Sequence, residues 1–179
     1  VKALPQARFT VLERRGFALP FNDIPRHTVS PYVLGDEKAL DSDDEMLRQA
    51  CTELQADLFV STYCTRAPGF KNLLLVHDLI PELLGHDLTR PEWRSKIRAI
   101  ETADAFATVS QRTMDDLKHR YPHTAARTMQ KMHLGIGAAF GPVEENRIAR
   151  LRARFSLPAA YLLMVGNRRR YKNSAAMWA

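Results

Sequence analysis

Two ionisable side chains, His77 and Asp78, follow directly on the apolar run Leu73-Leu74-Leu75-Val76. A histidine whose ordinary pKa lies near neutrality can hold or release a proton, and a neighbouring carboxylate can orient the turn that carries it. A run this short and apolar is best explained as a strand covered on both faces of a parallel sheet. Open sheets of that kind bind ligands beyond the carboxyl ends of their strands, which is where His77 then lies. The pair serves equally well as a satisfied turn or helix cap, with Pro81 opening a short helix behind it. Alone, the dipeptide does not choose between the two.

A second group of residues suited to chemistry is Gly166-Asn167-Arg168-Arg169-Arg170-Tyr171-Lys172-Asn173, which follows the apolar run Leu162-Leu163-Met164-Val165. Gly166 permits close approach of the main chain, and a helix beginning after the turn would present its N-terminus to an anion. Arg168 can fork across two phosphate oxygens and Lys172 can act on a third as a point charge. A solvated basic loop is the alternative, and Arg169 and Arg170 read as surface. The pairs His77-Asp78 and His86-Asp87 repeat nine residues apart, a pattern met in metal-dependent phosphohydrolases. Those enzymes are all-helical, whereas the first pair here ends an apolar strand, so a metal-dependent phosphohydrolase using His77, Asp78, His86 and Asp87 stands only as the weaker alternative. No Walker sequence, no Gly-x-Gly-x-x-Gly after a strand and no Gly-x-Ser-x-Gly elbow occurs, which leaves P-loop hydrolysis and serine esterase chemistry without support.

The elements that must position these groups can be read in order. Phe9–Leu12 reads as a strand, and the Pro-punctuated stretch through Pro20, Pro25 and Pro31 as a loop without regular elements. Ser42-Asp43-Asp44-Glu45 has the form of a capping box, and Met46, Leu47, Ala50, Cys51 and Leu54 follow at helical spacing. Leu58–Val60 is the next strand, with Ser61, Thr62, Tyr63 and Cys64 at its carboxyl end, where they line a pocket or form a polar turn. Pro91-Glu92-Trp93 opens a helix with Trp93, Ile97 and Ile100 on one face. Phe106–Val109 is another strand, and Ser110 caps a helix that buries Met114 and Leu117. Met129–Leu134 completes a repeating strand, turn and helix order, the mark of an α/β fold with a doubly wound, Rossmann-like parallel sheet. From Gly135 the texture changes, with Gly137, Gly141-Pro142 and a basic amphipathic helix over residues 146–155. Ala160–Val165 then reads as a buried strand that begins a second sheet. The expected organisation is a domain over 1–134, a linker and basic helix over 135–158, and the start of a second domain over 159–179.

Hydrophobic residues make up 45% of the 179 and charged residues 26%, values that argue for a globular chain and against disorder. No apolar run is long enough to span a bilayer as a helix. Cys51 and Cys64 have neither metal spacing nor a partner-rich framework, which suits a reducing cytosol, and Cys51 reads as core. Eight of the 26 basic residues and none of the 20 acidic ones lie after Glu145, an asymmetry that marks a boundary and points to an anion near the C-terminal part. A nucleic-acid-binding module would also use these charges through Arg147, Arg150, Arg152 and Arg154, but no base-reading motif and no interleaved aromatics accompany them.

The order of three blocks is more specific than any one of them. Val76-His77-Asp78-Leu79-Ile80-Pro81-Glu82, Ala103-Asp104-Ala105-Phe106-Ala107-Thr108-Val109-Ser110 and Met164-Val165-Gly166-Asn167-Arg168-Arg169-Arg170-Tyr171-Lys172-Asn173 together resemble glycosyltransferase family 4. The resemblance runs from about Asp57 to Ala179 and is greatest to bacterial enzymes of surface polysaccharide biosynthesis, often mannosyltransferases. It implies two Rossmann-like domains in a GT-B architecture, with a nucleoside-diphosphate sugar as co-substrate, a glycan or lipid-linked acceptor, no bound metal and no nucleic acid. It also implies a cytoplasmic enzyme, with peripheral association at the inner face of a membrane left open. Gly166, Arg168 and Lys172 match the grip on the donor diphosphate, and His77 matches the histidine that approaches the donor sugar, with Asp78 orienting the turn. Tyr63 and Ser110 are further candidates to line the cleft. Three departures are evident: the glycine-rich loop after a first strand is missing, the Glu-x7-Glu block is missing, and Leu134-Gly135-Ile136-Gly137 stands where many relatives have Asn-Gly-Val-Asp. The chain is therefore expected to be a fragment, inactive by itself.

Overall fold

The computed structural model describes residues 4–14, 23–32, 36–137, 140–166 and 172–177. The chain divides into two compact units, Val1–Leu134 and Gly135–Ala179. The first is an α/β unit of Rossmann-like type built on parallel sheets.

Two short strands, β1 (Val11–Arg14) and β2 (Arg26–Val29), pair in parallel with Val11 opposite Arg26. The second strand falls within the stretch expected to be loop. Pro25 does not prevent it, because that residue stands just outside the strand and its carbonyl still accepts from the Val11 amide at 2.8 Å.

Helix α1 (Glu37–Glu53) begins six residues before the expected start. Its N-cap is Asp36, whose carboxylate accepts from the Lys38 amide at 2.9 Å, while Ser42 lies inside the helix and donates back to the Ala39 carbonyl at 3.1 Å. Leu40, Asp43, Leu47 and Ala50 repeat at spacings of three and four and form its buried stripe. Asp43 is tolerated there because Arg14 forks onto both of its oxygens, at 2.6 and 2.9 Å.

The principal sheet contains β3 (Leu58–Ser61), β4 (Lys71–Val76), β5 (Ala105–Thr108) and β6 (Thr128–Lys131), all parallel and in sequence order. Between β4 and β5 lie a single helical turn, α2 (Ile80–Leu83), and α3 (Pro91–Thr102), which Pro91 opens at its first position. Helix α4 (Gln111–Arg120) joins β5 to β6, by way of a 3-10 turn at Pro122–Ala126. Right-handed crossovers between strands in sequence order place their helices on one face of a sheet. The core agrees: Leu74 and Val76 of β4 and Phe106 of β5 pack with Ala99 and Ile100 of α3 and Leu117 of α4. Phe59 of β3 shares that face and meets Leu47 and Cys51 of α1. Burial of β4 is therefore unequal, with Asn72, Leu74 and Val76 buried and Leu73 and Leu75 only half-buried.

The second unit contains α5 (Glu145–Arg154) and a 3-10 turn at Ser174–Met177. No residue of α5 is buried. The strand expected over Ala160–Val165 is not formed: Leu162 is 88% exposed and Val165 85%. A strand is completed by ladder partners, and among the described residues no other segment of this unit offers one. Among the described residues, no helix is long and apolar enough to cross a membrane.

Candidate functional site at the carboxyl edge of the parallel sheet

Parallel pairing in this register brings the carboxyl ends of β3, β4 and β5 to one edge, since Ser61 lies opposite Leu74 and Val76 opposite Thr108. His77 leaves the end of β4 with its side chain exposed. Its Nε2 lies 3.1 Å from the Thr62 carbonyl oxygen beyond β3. A carbonyl can only accept, so the geometry assigns the hydrogen to Nε2, and the neutral ring keeps its lone pair at Nδ1. His77 can thereby accept a hydrogen bond, or a proton, at a nitrogen other than the one that anchors it.

Asp78 is also exposed, and its Oδ1 accepts from the Ile80 amide at 3.0 Å, which starts α2. This carboxylate shapes the turn. Both main-chain carbonyls of the pair are engaged as well: Lys96 Nζ donates to that of Asp78 at 2.9 Å, and Thr113 Oγ1 donates to that of His77 at 3.5 Å. Ser110 caps α4 by accepting from the Thr113 amide at 3.0 Å, and its oxygen lies 2.9 Å from Thr113 Oγ1. The residue expected to line a cleft is thus occupied as a helix cap, one step removed from the His77 turn.

Tyr63 is exposed beyond β3, and its hydroxyl is held above the ordinary pKa by burial first, then by Cys64 and Asp78. The Cys64 thiol is pushed up to about 11, chiefly by burial, with Lys96 opposing and Glu82 and Asp78 adding to the rise. Its backbone has φ +54°, a left-handed conformation at the tip of the loop after β3. Thr108, at the end of β5, is fully buried and its hydroxyl has no partner among the described residues. One edge therefore gathers His77, Asp78 and Tyr63 directly, and Ser110 through Thr113.

No role was expected from the sequence for three residues near this turn: Lys96, Glu82 and Tyr121. Lys96 Nζ pairs with Glu82 Oε2 at 2.8 Å, and the Tyr121 hydroxyl donates to Glu82 Oε1 at 3.2 Å. Burial, then the carboxylate beside it, raises the Tyr121 pKa. A signal for Lys96 did exist, because it lies on the same helical stripe as Ala99, Ile100 and Ala103, where a cation needs a partner.

His86 packs its ring on Trp93 with centroids 5.8 Å apart, and Asp87 is engaged by the amide and hydroxyl of Thr89. Among the described residues no three His, Cys, Asp or Glu side chains form a group able to hold a metal ion.

In the second unit Gly166 has φ +128°, a conformation that side-chain-bearing residues rarely adopt, with open space where a Cβ would lie. Lys172 is exposed just before the 3-10 turn. Arg168 lies outside the described residues. Where a helix was expected to present its N-terminus, the described residues form a 3-10 turn at Ser174–Met177. No family model matches the chain, and no curated protein or solved structure matches it.

Proposed function

We propose that this chain belongs to a retaining glycosyltransferase that moves a hexose from a nucleoside-diphosphate sugar to a hydroxyl of a glycan or lipid-linked acceptor. The observation that carries the reading is His77: it stands exposed at the carboxyl end of a parallel strand, anchored through Nε2 to the Thr62 carbonyl with Nδ1 as its acceptor. A ring so held can fix the orientation of a sugar hydroxyl, which is the positioning that converts binding into rate. The three sequence blocks supply the rest of the argument. In the transfer, the bond from the anomeric carbon to the diphosphate oxygen breaks. A bond to the acceptor oxygen forms, and the acceptor proton leaves with the diphosphate. Gly166, Arg168 and Lys172 are proposed to stabilise charge that develops on the departing diphosphate. Asp78 is proposed to hold the turn rather than to react. A cytoplasmic enzyme, peripheral to a membrane where its acceptor is lipid-linked, fits such a reaction.

The test is release of nucleoside diphosphate from a panel of uridine- and guanosine-diphosphate hexoses by the intact protein, with the anomeric configuration of the product read by NMR. His77→Ala is expected to lower turnover by on the order of 100-fold while leaving the far-ultraviolet dichroism unchanged. Absence of transfer from every donor, or an unchanged rate in the His77 variant, would overturn the reading.

A further inference from the structure

The buried trio Lys96, Glu82 and Tyr121 lies directly beneath the His77 turn. The Lys96 side chain is 10% exposed and that of Glu82 fully buried. Enclosing an ion pair is costly, and well-packed apolar residues of similar volume commonly stabilise a fold as well or better. Stability therefore gives no reason for this pair to be charged, and the contact that apolar residues could not replace is the one from Lys96 Nζ to the Asp78 carbonyl, at 2.9 Å.

We propose that Lys96 is the positioning residue of the site, holding the His77–Asp78 turn in place through the Asp78 carbonyl while Glu82 and Tyr121 hold Lys96. The chain of contacts is continuous. The Tyr121 hydroxyl donates to one oxygen of Glu82, and the other oxygen accepts from Lys96. A second Lys96 donor goes to the Asp78 carbonyl of the turn, and Leu79 beside it is buried in the core. Thr113 holds the neighbouring His77 carbonyl more loosely, at 3.5 Å, so the strong grip from below comes from the lysine. Lys96 itself is buried, so it acts through the main chain and not on substrate. The proposal builds on the reading of His77 as a sugar-facing residue, but the geometry of the turn can be measured without it.

The experiment compares wild type, Lys96→Met, and the triple variant Lys96→Met, Glu82→Met, Tyr121→Phe in the intact protein. Readouts are thermal unfolding, amide exchange at Ile80, the His77 ring resonances, and turnover of the uridine- and guanosine-diphosphate hexoses. Lys96→Met leaves a buried carboxylate unpaired and should lower the unfolding midpoint. The triple variant removes all the polar groups together and should recover it. Exchange at Ile80 should remain faster than wild type by about tenfold in both variants, because neither restores the donor to Asp78. Turnover should remain down by on the order of 100-fold in both. Recovery of the wild-type Ile80 exchange and His77 resonances together with the midpoint in the triple variant would show a merely structural pair and overturn the proposal. If wild type transfers no sugar, the glycosyltransferase reading falls, and Ile80 and His77 alone decide the role of Lys96.

Discussion

Two apolar runs of similar composition behave differently in the two units. Leu73–Val76 becomes the inner part of β4, hydrogen-bonded to β3 on one side and β5 on the other, with Leu74 and Val76 buried. Tyr161–Val165 carries no strand, and its leucines and Val165 are exposed. Each run is followed in the sequence by polar residues. What separates them is company: β4 has neighbours to complete its ladder and helices to cover its face, whereas no described residue of the second unit is buried. Apolarity creates a demand for burial, and only long-range partners meet it.

The contrast can be broken most forcefully in the core. Phe106→Ala, which empties the packing between β5 and the helices, is expected to cost about 3–5 kcal/mol of unfolding free energy, measured by urea denaturation. A cost near zero would mean that the sheet core is not what holds the first unit. Ser110→Ala removes the cap of α4 and should cost about 1 kcal/mol by the same measurement, with the Thr113 amide exchanging faster. The Cys64 thiol gives a gentler handle. Its folded pKa, raised from the ordinary 9.0 to about 11 mainly by burial, makes the folded state the stronger proton binder in that interval. Its contribution to stability is therefore complete below pH 9.0 and is lost as the pH rises toward 11. Cys64→Ala should flatten the alkaline fall of the urea midpoint, and an unchanged fall would assign it to other groups, Tyr121 first among them. Smallest of all, Leu163→Ala in the second unit should change stability by no more than about 0.5 kcal/mol. A loss above about 2 kcal/mol would show that the Tyr161–Val165 run finds cover in solution.

Local signals were read well wherever the chain's own neighbours supply the interaction. Pro91 opens α3 and Ser110 caps α4 as their residue types demand, and the strands expected in the first unit fall within a few residues of those observed. The misplaced start of α1 has a local cause too. Ser42 and Glu45 have the spacing of a capping box, but Asp36 offers an earlier cap and Leu40 a reason to extend the helix to it, because it joins the buried stripe. β2 was not legible, since three prolines around it suppress the pattern, and its ladder with β1 and the burial of Val29 depend on long-range partners. At the site, His77 and Asp78 were legible from their position after an apolar run. The Thr62 carbonyl that selects the His77 tautomer was not, because it reaches the ring from the loop after another strand.

The sequence by itself determined the parallel α/β plan, the position of the His77 turn and the change of character at Gly135, since periodicity, caps and glycine act within a few residues. Only the tertiary structure shows that Lys96 and Glu82 are buried beneath that turn, that Thr113 links the Ser110 cap to the His77 carbonyl, and that the Tyr161–Val165 run forms no strand. Those outcomes depend on desolvation and on ladder pairing, and both require groups distant in the chain to be brought together before the local residues have any energetic reason to choose.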